Sequence, residues 1–199
     1  KSKKIKKIFL ISGERSFTKS GAKNYFQSIL KNKNVSYFFK KNKFVEIYEL
    51  IKLIGLIKNL KPDLIIAVGG GSVLDYAKLA NILDSEDLVN KIKKNKLLRF
   101  KKKAKLLAIP TTAGSGSEVT SSGVVYISKI KYSIEDAKMV PDYFFLFPKL
   151  VINANSKIRS ASALDGISQS IESIISLKSN RESVRYSLMS LDIFAKNLN

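Results

Sequence analysis

Residues 63–78, DLIIAVGGGSVLDYAK, restrict the fold more than any other stretch of this chain. Leu64–Val68 are all apolar, as a strand buried on both faces requires. They end in Gly69, Gly70 and Gly71, and a helical pattern then covers Val73 to Leu83. A strand that turns through glycines straight into a helix opens a crossover unit, and such units build parallel sheets. Three glycines let the backbone turn sharply and leave peptide N–H groups open that a Cβ would shield. With a helix N-terminus beyond them, the arrangement suits a phosphate or pyrophosphate, although a plain tight turn would use the same residues. The pattern is neither GxGxxG, because Leu74 stands where the last glycine would be, nor a Walker loop, because no GK[ST] follows. Ser72 and Asp75 also fit a capping box, S-x-x-D, in which both side chains would satisfy helix N–H groups.

The surrounding pattern repeats the same logic. Ile8–Ile11, Val35–Phe39 and Leu106–Ile109 read as further short strands, with helical patterns over Ala22–Leu30 and Phe44–Asn59 between them. Strands separated by helices predict a parallel sheet covered on both faces. Beyond Pro110 the chain becomes a polar loop, a pair of short strands (Val124–Ser128 and Tyr132–Ile134) and a strand at Phe144–Phe147. From Ser156 it turns helical, with Ala161, Leu164, Ile167, Ile171 and Ile174 as an apolar stripe, and a last helix covers Val184–Leu198. Two or three helices are too few to bury their own faces, and the chain starts at Lys1 rather than Met. It is therefore expected to be incomplete.

Composition removes most common catalytic sets. Cys and His are absent, which excludes disulfides, cysteine nucleophiles, zinc fingers, HExxH and the Ser-His-Asp triad. The formal charge is +20, and a basic surface invites a nucleic-acid reading. Yet 31 of the 36 cations are lysine, whereas bidentate phosphate and base contacts are the work of arginine. A solvated lysine surface explains the charge better, so no nucleic-acid partner is expected. No apolar run is long enough to span a bilayer, so no membrane partner is expected either.

Two further segments bear on chemistry. In LLAIPTTAGSGSEVTSSG, 106–123, a strand delivers Thr111 and Thr112 and then small residues that include Ser115. Following a strand's carboxyl end, this loop would meet the glycine turn across the crevice where open α/β sheets bind ligands. A Ser/Gly-rich turn without a ligand would look alike. In SASALDGISQSIES, 160–173, Asp165, Gln169 and Glu172 fall on one helix face, which could meet that crevice or simply face water.

Taken in order, GGGSVLDYAK, IPTTAGSGSEVT and the Asp165–Glu172 helix resemble the iron-containing, or group III, alcohol dehydrogenases, over about residues 8–175. The resemblance implies a Rossmann-like, parallel-sheet α/β dinucleotide-binding domain, residues 1–155, and an all-α domain whose first helices are 156–199. It implies hydride transfer between a nicotinamide cofactor, NAD or NADP, and a small alcohol, aldehyde or ketone, in a cytoplasmic homodimer. By motif position, Gly69, Gly70, Gly71 and Ser72 would hold the pyrophosphate with Asp75 beside it. Thr111, Thr112 and Ser115 would line the adenine, ribose and nicotinamide side, and Lys131 would match the family's cofactor-contacting lysine. The family's divalent iron or zinc would take Asp165 as a ligand, but Gln169 stands where the family has its next ligand, a histidine. A glutamine carbonyl is a weak, neutral donor for either metal. A metal-free or catalytically altered relative is therefore the second reading. After the second strand, SYFFKKNKF holds Lys40, Lys41 and Lys43 and no acid, whereas NAD-preferring members place a carboxylate there for the ribose. NADP is the expected preference.

Overall fold

The computed structural model describes residues 5–94, 96 and 100–197. In chain order the elements are β1 (Lys7–Gly13), α1 (Glu14–Lys19), α2 (Ala22–Ile29), β2 (Asn34–Lys40), α3 (Ile47–Leu60), β3 (Leu64–Gly69), α4 (Gly71–Ile82) and α5 (Leu88–Lys93). They continue with β4 (Lys105–Pro110), β5 (Ser122–Ile127), β6 (Ile130–Glu135), β7 (Tyr143–Phe144), α6 (Pro148–Ile152), α7 (Ser156–Ile175) and α8 (Arg181–Asn197). Five strands form one parallel sheet in the order β2-β1-β3-β4-β7, and β5 and β6 pair as a separate antiparallel hairpin. The fold is α/β, as the alternating runs predict.

The unbroken apolar strands follow from burial on both faces. Along β1, Phe9 and Ile11 enter a core with α3, α4 and the hairpin, while Ile8 and Leu10 enter another with Phe17, Ala22 and Leu150. Along β3, Ile65 and Ala67 join the first core and Leu64, Ile66 and Val68 the second. The sheet thus separates two apolar layers, and its carboxyl ends all open on one side. Because β1 lies between β2 and β3, successive crossovers leave β1 in opposite directions, which places a topological switch point between β1 and β3.

Several local expectations are corrected. The strand expected at Phe144–Phe147 pairs over just Tyr143 and Phe144, because Pro148 opens α6 immediately afterwards. The expected capping box does not form: Gly70 is the N-cap of α4, and no side chain caps it. The apolar stripe of α7 is not its packed face. Leu164 is 63% exposed and Ile171 46%, whereas Gly166 and Ser170 are buried. Small residues let α7 and α8 approach closely, with the Ser170 hydroxyl 3.0 Å from that of Ser190. The last helix begins at Arg181, and its expected end at Leu198 lies outside the described residues.

Lys103 crosses from the segment before β4 to donate to the carbonyls of Ala80 and Leu83 at the end of α4. Those carbonyls lack helical partners, so an ammonium there is a natural cap. Burial nevertheless pushes the amine down to about 8, with the Asp84 carboxylate opposing. The unfolded chain, with an ordinary lysine, therefore binds more protons between about pH 8 and 10.5, and linkage makes stability rise with pH across that window. Thermal unfolding of wild type and Lys103→Met should show the wild-type midpoint gaining on the variant from pH 7.5 to 10. A constant difference would exclude the depressed lysine.

Candidate functional site

The glycine turn sits at the carboxyl end of β3, beside the switch point. A Cβ on Gly69 would lie 2.5 Å from Val73 Cγ2, which requires glycine for the strand to enter the helix so directly. A Cβ on Gly70 would lie 3.2 Å from Thr112 Oγ1, and one on Gly71 would lie 3.0 Å from Ser115 Oγ. The loop after β4 is therefore seated directly over the turn, as the two segments predict. Thr111 is buried and its N–H donates to the Gly69 carbonyl at 3.0 Å, fixing the loop's first residue. Ser115 Oγ accepts from the Ser117 N–H at 3.3 Å. Together these residues set the start of a helix against the Thr112 and Ser115 hydroxyls, and a helix N-terminus beside hydroxyl donors suits an anionic diphosphate.

Asp75 is placed differently from Ser72 and the glycines. One carboxylate oxygen accepts from Ser117 Oγ at 2.7 Å and the other from the Val124 N–H at 3.2 Å. Burial pushes its carboxyl up, while the Ser117 hydroxyl and the Lys78 ammonium pull it back. Asp75 thus fastens α4 to the loop and to β5. Lys131 is exposed on β6, and its charge also acts on Asp75.

Gly13 ends β1 on the other side of the switch point, and Lys40 of β2 lies across it, with Cε 3.8 Å from where a Gly13 Cβ would be. The Lys40 ammonium donates to the carbonyls of Asn42 (2.7 Å) and Lys43 (3.1 Å). Burial pulls this ammonium down, and Glu49 opposes the shift. The loop beyond β2 does meet a carboxylate, one that comes from α3. Glu49 accepts from the N–H of Lys41 (2.7 Å) and the side chain of Asn42 (2.9 Å), and from the Tyr76 hydroxyl (2.7 Å). Burial works against ionised Glu49, but these donors outweigh it and hold the carboxyl below its ordinary value. The sequence reading missed Gly13 and Glu49. The first could have been found as a glycine between a strand and a helix, and the second had no local signal.

A cleft of about 850 Å³ adjoins the turn, and Thr112 lines both. Glu118, Val119, Phe147, Gln169 and Phe194 are among its walls, so α7 and α8 close the side opposite the loop. The seat of α7 is tight: a Cβ on Gly114 would lie 2.2 Å from the backbone carbonyl of Ser162. Asp165, Gln169 and Glu172 are all exposed; Gln169 lines this cleft, whereas Asp165 and Glu172 are not among its lining. Among the described residues no group of three or more His, Cys, Asp and Glu side chains could hold a metal ion. One exposed carboxylate and one neutral amide do not fit iron or zinc. The glycine turn suits a dinucleotide's pyrophosphate, because without a Cβ at Gly70 or Gly71 the backbone N–H groups at the start of α4 stay open to an anion.

A parallel sheet with a glycine turn at its switch point and a hydroxyl loop above it defines a Rossmann-like α/β domain. Residues 1–148 match the model of the iron-containing alcohol dehydrogenases, and the chain belongs to that family. It is 29% identical over 150 residues to long-chain-alcohol dehydrogenase 1 of Geobacillus thermodenitrificans, covering 74% of this chain and 38% of that one. It is 30% identical over 125 residues to the NADPH-dependent butanol dehydrogenase of Clostridium saccharobutylicum, covering 60% and 32%. The crystal structure of an iron-containing alcohol dehydrogenase from Thermotoga maritima superposes with a TM-score of 0.84 at 25% identity, covering 97% of this chain and 54% of that one. The chain thus spans about a third to a half of the length of these relatives.

Gly114→Ala should drive α7 off the loop, because the obstructing atom is backbone and cannot rotate away. Overpacking of this kind costs on the order of 1–3 kcal/mol, read as a lower urea midpoint. An unchanged midpoint would mean that α7 does not depend on this contact.

Proposed function

We propose that the chain is the dinucleotide-binding part of an NAD(P)-dependent oxidoreductase that moves hydride between nicotinamide and a small alcohol, aldehyde or ketone. The observation that carries this reading is the contact of Gly70 and Gly71 with Thr112 and Ser115 at the switch point. In this reading Gly69–Gly71 and Ser72 receive the pyrophosphate on N–H groups at the start of α4. Thr111, Thr112 and Ser115 line the far wall, and Lys131 approaches the cofactor from the hairpin. The bound nicotinamide would supply the hydride chemistry, and Val119, Phe147 and Phe194 give the adjoining cleft apolar walls for the carbon part of a substrate. Residues 1–155 form the nucleotide domain and 156–199 the start of the helical one. The enzyme works as a cytoplasmic homodimer.

NADP is the preferred nucleotide in this reading, with Lys40 as the reader of the 2′-phosphate. Two of its three N–H groups hold the loop, which leaves one for a ligand, and Glu49 is already occupied by the loop's own donors. Calorimetric titration should give a lower Kd for NADP+ than for NAD+, and Gly71→Val should weaken both at least tenfold. Lys40→Asp should reverse the preference. In wild type the NADP+ advantage should shrink as pH rises toward 10, earlier than an ordinary lysine would allow. Tighter binding of NAD+ would refute the Lys40 assignment.

Gln169 favours a second reading for the metal. With an amide in the histidine's place, the protein binds nucleotide while holding iron or zinc weakly or not at all. Zinc titration followed by competition with a chelator should give weaker binding by wild type than by Gln169→His. Equal affinity would show that this position does not govern the metal.

A further inference from the structure

Lys78 is the eighth residue of the α4 helix that starts at the glycine turn, and its side chain is buried. It is 1% exposed, and its ammonium donates to Ser117 O (2.9 Å), Ser117 Oγ (3.1 Å) and Thr120 Oγ1 (2.9 Å). An ammonium has three protons, so its donor capacity is spent inside the protein. It cannot also bind a phosphate. Ser117 Oγ passes the interaction on, accepting from Lys78 and donating to Asp75 Oδ1, and Asp75 Oδ2 accepts from the Val124 N–H. Lys78 and Asp75, one turn apart on α4, therefore grip the 117–124 segment at four points.

Near the turn the loop is otherwise anchored to β3 by the Thr111 N–H, while Thr112 and Ser115 lie between that anchor and the grip. The separation between these hydroxyls and the glycine backbone is thus set from both ends. We propose that Lys78 is a positioning residue for the nucleotide: through Ser117 and Asp75 it fixes the hydroxyl loop over the glycine turn and thereby sets affinity for the pyrophosphate, touching no ligand atom. The inference rests on the proposed nucleotide site and adds to it the residue that fixes its width. It also turns Asp75 from a neighbour of the pyrophosphate into part of the support.

Two variants remove the grip at different points. Lys78→Met keeps the volume of the buried stem and removes the ammonium; Ser117→Ala removes the hydroxyl between the two charges and leaves both. Each is compared with wild type by calorimetry with NADP+, alone and combined with Gly71→Val, and by urea unfolding without ligand. If Lys78 positions the cradle, both variants lose about tenfold in affinity for NADP+ while still folded, and lose little more once Gly71→Val has already closed the cradle. The same tenfold loss in the Gly71→Val background would reveal general destabilisation and overturn the proposal. Unchanged NADP+ affinity in Ser117→Ala would overturn it too, even if Lys78→Met fails to fold. Wild type that binds neither NAD+ nor NADP+ would refute the nucleotide site itself, and this inference with it. That outcome is distinguishable because it appears before any substitution is made.

Discussion

The glycine turn and the hydroxyl loop act together only because two loops meet closely at the carboxyl ends of β3 and β4. The space between Gly70 and Thr112, and between Gly71 and Ser115, is too narrow for a Cβ to enter without displacing a hydroxyl. Two parallel strands in register, from Leu64 opposite Lys105 to Gly69 opposite Pro110, bring the two loops out side by side. The sheet fixes where the loops begin, and the buried lysine grip fixes where the second one goes. The site is therefore a property of tertiary structure, although each half of it is a continuous stretch of sequence.

That division explains what was legible from the residues. Strands buried on both faces must be apolar throughout, so Ile8–Ile11 and Leu64–Val68 announced a parallel sheet without any knowledge of its partners. Glycine at a strand-to-helix junction is required by local geometry, so the turn was legible too. The α7 helix was not, because its packed face is built from Ser162, Gly166 and Ser170, whose value lies in being small against a backbone that comes from elsewhere. Hydrophobic periodicity then pointed to the wrong side of the helix. Asp75 misled for a related reason. A capping box satisfies helix N–H groups locally, but Ser117 and Val124, more than forty residues away, compete for the same carboxylate and win.

Glu49 shows the same competition at the other side of the crevice. The sequence after β2 offers no acid, yet the loop folds around one, because α3 delivers Glu49 to the N–H groups of Lys41 and Asn42. The Tyr76 hydroxyl, carried by α4, donates to that carboxylate at 2.7 Å and accepts from the Glu46 N–H at 2.7 Å. One helix thus braces both rims of the crevice. Tyr76 holds the loop after β2, and Lys78, two residues later, holds the loop after β4. Buried polar networks of this kind are costly unless every donor and acceptor is matched, and here the partners are supplied from both sides.

Net charge is a poor guide to such a molecule. Most of the lysines are solvated and interchangeable in effect, so the +20 balance describes the surface. Among the described residues Lys40, Lys78 and Lys103 bind inward, and each points its ammonium at backbone carbonyls. Carbonyls left over by loops and helix ends need donors, and a long stem lets a lysine reach them from another element. Burial lowers the affinity of all three amines for their protons, so folding here works against part of the charge that composition counts. The same residue type therefore does two unrelated jobs, and the partners of the ammonium, more than its position in a basic run, decide which.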